Sequence, residues 1–131
     1  MKKDFINKEI WMLTFGASFQ RAYAYVDNAS NDTKVLFKNN TTVVVENILA
    51  QYKSAKVTDA QHIDNIKAVS DSSKQYAEIF NGGKINFGIA QKMLNLYLKY
   101  QWCLGNIKEP PHFPVDRIIQ QKLNEQAKLK G

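Results

Sequence analysis

Two lysines share one side of a strongly apolar segment in the last third of the chain. Over residues 88 to 104, helical spacing gathers the polar side chains into one narrow stripe, whereas apolar side chains cover most of the remaining circumference. The stripe consists of Gln91, Lys92, Asn95 and Lys99. Such a helix should be largely buried, and an unpaired buried ammonium is costly, so the stripe must meet solvent, a ligand groove or buried partners. The plainer alternative is that both lysines extend to water without a further role.

Three short segments in the same region resemble the core signature of the helix-hairpin-helix DNA glycosylases. They are Gly88-Ile89-Ala90-Gln91-Lys92, Leu98-Lys99 and Pro114-Val115-Asp116-Arg117-Ile118. In that superfamily a Gly-hydrophobic-Gly-x-Lys hairpin opens a buried helix, and a Val-Asp or Ile-Asp step opens a later one. The 8-oxoguanine glycosylases are the most similar in pattern. Ala90 stands where the family has its second hairpin glycine, and too few residues follow Asp116 for the closing helices of a complete two-domain member.

The resemblance implies a role for each matching residue. Lys92 would correspond to the Schiff-base lysine and Asp116 to the catalytic aspartate. A lysine partly desolvated by Met93 would offer a neutral amine to attack the sugar C1′, and a carboxylate at a helix N-terminus could stabilise positive charge on the sugar. The backbone of the hairpin, residues 87 to 90, would contact phosphate. The predicted DNA-binding residues are Phe87, Gly88, Ala90, Gln91, Asn95, Lys99 and Arg117, and no cofactor or metal is implied.

The remaining reactive side chains favour structural roles. His62 and His112 lie far apart without companions at metal-ligand spacing, so we expect each to face solvent or to belong to a turn. Cys103, the single cysteine, has no base near it in sequence and is expected to be a small buried hydrophobe. Aromatic residues at every fourth position of the first helix could stack on bases, but a core stripe explains them better. They are Trp11, Phe15, Phe19 and Tyr23.

The elements that would position these residues are helices. A first helix is predicted from Asp4 as N-cap towards Val26. Residues 34 to 45 fit either a β-hairpin around Asn39-Asn40 or a short helix followed by a longer one, and we favour the helices because no other convincing strand exists. Thr58 and Gln61 fit a capping box that opens a further helix.

The later part of the chain contains the breaks between helices. Residues 70 to 73 predict a break or kink in the helix. A short helix is then predicted to reach Phe80 and to end at Asn81-Gly82-Gly83. A last helix is predicted from Pro114. The expected architecture is an all-α bundle of about five to six helices around a buried central helix.

Composition limits the class of protein. The chain has 131 residues, of which 44% are hydrophobic and 23% charged, so we expect one globular domain over residues 1–131. A lone cysteine excludes an intramolecular disulfide and suits a reducing compartment. We find no pattern typical of a signal peptide or a membrane span and expect a cytoplasmic protein.

The positive charge is concentrated in the same third as the stripe. Residues 84–131 contain eight basic and three acidic residues, whereas residues 1–83 contain ten and nine. This asymmetry favours a polyanionic partner, with nucleic acid first, although solubility alone is an equally simple explanation.

The sequence supports three hypotheses. The first is a basic DNA-associated protein that excises bases through Lys92 and Asp116. The second is a non-enzymatic accessory protein that binds nucleic acid or an acidic protein through its last third. The third is a homodimer that buries the aromatic stripe of the first helix. The sequence leaves a monomer and a homodimer as open alternatives.

Overall fold

The fold is all-α over the residues that the structure describes, which are 2–20, 23–54 and 56–107 of a computed structural model. Four α-helices follow one another: α1 (Lys2–Phe19), α2 (Asn31–Ser54), α3 (Asp59–Ser72) and α4 (Phe87–Cys103). Two 3₁₀ segments, Ser73–Ile79 and Asn81–Gly83, connect α3 to α4. The predicted all-α class is confirmed, with slightly fewer helices in this part of the chain than were expected for the whole. The helix predicted from Pro114 lies outside the described residues.

Helix α4 is the central helix that the apolar periodicity predicted. It packs against both α1 and α3. Three of its large side chains, Met93, Leu94 and Leu98, are completely buried. Burying each such side chain stabilises the fold by about 1.5–3 kcal/mol. The prediction of a buried helix over residues 88 to 104 is therefore confirmed to within one residue at each end.

Two buried serines hold the backbone that leads into α4. Ser73 Oγ accepts a hydrogen bond from the Ile85 N–H at 2.9 Å, and Ser70 Oγ donates one to the Ile85 carbonyl at 2.6 Å. Ser73 Oγ also donates to the Ser70 carbonyl. The predicted break at residues 70 to 73 is confirmed, because α3 ends at Ser72 and the 3₁₀ segment begins at Ser73. These serines satisfy backbone groups that the break would otherwise leave unpaired.

Residues 34 to 45 belong to one continuous helix. The buried residues Phe37, Thr41, Val45 and Ile48 keep the helical period through Asn39-Asn40. The hairpin alternative is therefore excluded. The favoured division into two helices is also wrong, because the buried face does not change direction at the asparagines.

Helix α1 is shorter at its C-terminal end than its pattern predicted. It begins at Lys2 rather than after Asp4 and ends at Phe19 rather than near Val26. The backbone of residues 24 to 26 forms hydrogen bonds with the segment after α3. The Val26 N–H donates to the Ile79 carbonyl, and the Asn81 N–H donates to the Ala24 carbonyl. Because those backbone groups pair across the fold, they cannot continue a helix.

The early end of α1 divides the predicted aromatic stripe. Trp11 and Phe15 are buried and Phe19 is half-buried, but Tyr23 is 93% exposed. Trp11 stacks on Tyr97 of α4 with ring centroids 4.4 Å apart. The stripe is thus part of the core except at Tyr23, where the prediction was wrong, and its buried part is not available to a second copy.

Candidate nucleic-acid interface

The segment expected to be a phosphate-binding hairpin is the first turn of α4. Asn86 is its N-cap, and the Asn86 side chain accepts a hydrogen bond from the Ile89 N–H at 2.8 Å. Gly88 is helical, whereas the described glycines with positive φ are Gly82, Gly83 and Gly105. Residues 87 to 90 are therefore the start of a helix and not a separate hairpin, and two of their amides, those of Ile89 and Ala90, already bond to Asn86.

The structure separates the predicted DNA-binding residues of α4 into two groups. Phe87, Gly88 and Lys99 are exposed, whereas the side chains of Ala90 and Gln91 are buried. Asn95 is half-buried, and its Oδ1 accepts a hydrogen bond from His62 Nε2 at 2.8 Å. The polar stripe thus has an inner side that pairs within the protein and an outer side that reaches solvent.

The inner side belongs to a buried polar network. His62 is completely buried, and its Nδ1 accepts a hydrogen bond from the Tyr52 hydroxyl at 2.6 Å. With Asn95 Oδ1 as its acceptor, Nε2 donates, so both ring nitrogens of His62 have hydrogen-bond partners. Asn65 Nδ2 donates to the Tyr52 hydroxyl and also to Gln51 Oε1. Burial raises the pKa of Tyr52 to about 12, although the hydrogen bond from Asn65 acts in the opposite direction.

The expectation that His62 faces solvent or lies in a turn was wrong. His62, Ile66 and Val69 lie on one side of α3 at helical spacing, and all three are completely buried. This spacing was a sequence signal for burial. The partners of His62 come from α2 and α4, so they could not be identified from α3 alone.

Lys92 lies on the outer side of α4 and is exposed to solvent. Its neighbour Met93 is completely buried on another side of the helix and leaves the amine in water. The partial desolvation expected for Lys92 is therefore absent. Asp116 and Arg117, the other residues of the predicted site, lie outside the described residues, as does His112.

The exposed stripe, termed here the outer face of α4, carries two of the exposed lysines. It comprises Gly88, Lys92, Leu96, Lys99 and Cys103, which recur at helical spacing, and Leu96 alone among them is half-buried. Neither lysine forms an ion pair with a described residue. No acidic residue occurs anywhere in α4. The two ammonium groups therefore face solvent without a neighbouring carboxylate on their own helix.

The last turn of α4 adds an aromatic ring and a thiol to this face. Trp102 is 44% exposed beside the stripe. Cys103 is exposed one turn after Lys99, so the expectation of a small buried hydrophobe was wrong. The reason is that residues 102 to 106 extend beyond the core and are exposed.

Lys84, just before α4, differs from the two lysines of the outer face. Its Nζ lies 3.9 Å from Asp71 Oδ1, and the same carboxylate also pairs with Lys74 at 3.2 Å. Asp71 thus offsets part of the positive charge near the N-terminus of α4. Because these are exposed pairs, they stabilise the fold little.

Comparisons with known proteins identify no homologue of this chain. No protein-family model, curated protein or solved structure matches the chain. Within the described ranges no group of three or more His, Cys, Asp or Glu residues is arranged to hold a metal ion. Among the described helices, none combines the length and apolar character needed to cross a membrane.

Proposed function

We propose that this protein binds nucleic acid without modifying it, through the outer face of α4. The observation that carries the proposal is that Lys92 and Lys99 are exposed, lack a carboxylate partner in the described part of the chain and lie beside the exposed ring of Trp102. Basic side chains next to aromatic rings are typical of surfaces that bind single-stranded nucleic acid.

The geometry suits a backbone-tracking mode of binding. Lys92 and Lys99 are two helical turns apart, about 10 Å along the axis, so both can contact phosphates of one strand. Trp102 follows Lys99 on the next turn and can present a face for a base, which contributes about 1–3 kcal/mol per stacked base in known cases. The excess of basic over acidic residues in 84–131 supports attraction of a polyanion to this end of the chain.

Equilibrium titration tests the proposal. The full chain is added to a dye-labelled single-stranded DNA of mixed sequence at low salt, and binding is followed by fluorescence anisotropy over a salt series. We expect affinity to fall steeply with salt. The Lys92→Gln/Lys99→Gln variant should bind at least tenfold more weakly, with a salt slope smaller by about 1.4, because each lysine releases about 0.7 counterion from a single strand.

A charge-matched control separates this face from net charge alone. Lys56 and Lys67 are also exposed but lie before and on α3. The Lys56→Gln/Lys67→Gln variant has the same net charge as the first variant and should retain most of the affinity. Equal weakening by both variants, or no binding at low salt, would overturn the proposal. Tighter binding to a duplex of the same sequence would still be consistent with binding through the outer face of α4, but it would exclude stacking of bases on Trp102.

A further inference from the structure

An open cavity of about 460 Å³ lies at one end of the helix bundle. Its walls come from the first turns of α1, the last turn of α2 and the end of α4. The volume falls within the range of pockets that hold small molecules. We term it the end cavity.

A nearly buried amide in the wall has an unused hydrogen-bond donor. Gln101 is only 5% exposed and lines the end cavity. Its Oε1 accepts a hydrogen bond from Asn106 Nδ2 at 2.8 Å, but its Nε2 has no hydrogen-bond partner among the described residues. The residue is almost buried, but Nε2 is not among the enclosed unpaired atoms of the described chain, so this donor is open to the cavity and can reach an acceptor there.

Positive charge accompanies the free donor. Lys3 and Lys53 line the end cavity, and neither forms an ion pair within the described ranges. Among the described residues of the wall Asp4 is the one carboxylate, so these residues have one excess positive charge. Lys3 belongs to the first turn of α1, where the helix dipole also favours an anion.

The rest of the wall is partly apolar. Ile6, Ile10 and Leu104 line the end cavity beside these polar groups. Pockets for small molecules usually combine apolar walls with a few convergent polar groups. A fully polar ion such as free phosphate would leave this apolar surface uncovered.

We propose that the end cavity binds a small organic anion, separately from the nucleic-acid function proposed above. The carboxylate or phosphate of the ligand pairs with Lys3 and Lys53 and accepts a hydrogen bond from Gln101 Nε2. The short apolar portion of the ligand lies against the isoleucines and Leu104. Charge-assisted hydrogen bonds of this kind are stronger than neutral ones, so the anionic group decides the affinity.

The test is a titration of the isotopically labelled full chain, followed by the chemical shifts of its backbone amides. The probes are hexanoate, hexyl phosphate, neutral hexanol and inorganic phosphate. We expect saturable shifts at α1, α2 and α4 residues around the end cavity for the two anionic hexyl compounds, and binding of hexanol at least roughly tenfold weaker. Tighter binding of hexyl phosphate identifies a phosphate ligand, and tighter binding of hexanoate identifies a carboxylate ligand.

Variants localise the effect. Lys53 is exposed, so the Lys53→Gln substitution should not affect folding. It should weaken hexanoate binding roughly tenfold. Gln101→Met removes the free donor and should also weaken binding, while Lys99→Gln on the outer face of α4 should leave it unchanged. Saturation by hexanol as readily as by hexanoate, saturation by neither hexyl anion, or unchanged binding in Lys53→Gln would overturn the proposal. A loss of nucleic-acid binding in Lys99→Gln with hexanoate binding retained shows that the two sites are separate.

Discussion

Asn95 Oδ1 accepts a hydrogen bond from His62 Nε2 at 2.8 Å and thereby joins α4 to α3 inside the protein. Asn95 lies in the same sequence stripe as Lys92 and Lys99, and the family resemblance implied DNA contact for Asn95 and Lys99 and a Schiff-base role for Lys92. The structure gives Asn95 an internal partner, whereas the two lysines remain on the outer face of α4.

The pairing predicts that Asn95 matters for stability more than for binding. Asn95→Ala leaves His62 Nε2–H without its acceptor inside the fold, and an unsatisfied buried donor costs about 1–3 kcal/mol. We expect a lower urea midpoint with an unchanged slope. Asn39→Ala, at an exposed position of α2, is the control because it makes the same change in helix propensity. An unchanged midpoint together with weaker DNA binding would show that Asn95 contacts DNA instead.

High pH should destabilise the fold through two buried tyrosines. Tyr52 and Tyr97 are 4% and 2% exposed, and the pKa of each is raised to about 12. Burial is the main cause of the raised pKa in both tyrosines. The negative charge of Glu46 raises the pKa of Tyr97 further, and the neighbouring Trp11 offsets part of this rise. Because the unfolded pKa is about 10, the unfolded chain loses these protons first. The stability that the neutral hydroxyls provide is complete below pH 10 and is lost as the pH rises through 12.

Urea denaturation at a series of alkaline pH values measures this effect. The slope between pH 10 and 12 should approach about 1.4 kcal/mol per pH unit for each buried tyrosine. Tyr97→Phe should reduce the slope, whereas Tyr23→Phe, at a position that is 93% exposed, should not. A flat profile across this range in the unmodified protein would contradict the assignment.

The exposed position of Lys92 predicts that no covalent adduct forms with damaged DNA. Incubation with DNA containing an abasic site under borohydride should trap nothing above a Lys92→Ala background, because Lys92 is on an exposed helix face and not in an enclosed site that would hold the sugar against its amine. Gel electrophoresis under denaturing conditions detects the adduct. A trapped species in the unmodified protein that Lys92→Ala abolishes would establish lyase chemistry and replace the non-enzymatic proposal.

The reactivity of the Cys103 thiol can be used to test whether DNA covers the outer face of α4. As the only cysteine and an exposed one, its thiol should react with a maleimide in the folded protein. Single-stranded DNA should slow this reaction, which mass spectrometry can follow. A Cys103→Ser/Ala68→Cys variant moves the thiol to an exposed site on α3 and should lose the protection. Equal protection at both positions would place bound DNA elsewhere.

The features that sequence reasoning predicted well are those that local interactions determine. The bounds of α4 follow from its apolar period. The start of α3 follows from a capping box, in which Thr58 Oγ1 accepts a hydrogen bond from the Gln61 N–H and Gln61 Oε1 accepts one from the Thr58 N–H. Both signals lie within a few residues of the helix end that they specify.

The features that were missed depend on distant partners. The end of α1 is set by backbone hydrogen bonds to residues after α3, and the Asn81 side chain donates to the carbonyls of Tyr23 and Tyr25. The role of His62 depends on Tyr52 and Asn95, which two other helices supply. A single helix cannot indicate which residues will meet it.

The stacking of Trp11 on Tyr97 has a consequence for the synthesis of the chain. The ring of Trp11 leaves the ribosome early, but its partner on α4 follows only after most of the described chain has been made. At about 5–20 residues per second, the apolar side of α1 waits on the order of ten seconds before α4 can cover it. During that interval the Trp11 ring lacks its stacking partner, and the nascent chain presents an aromatic surface that the folded protein covers.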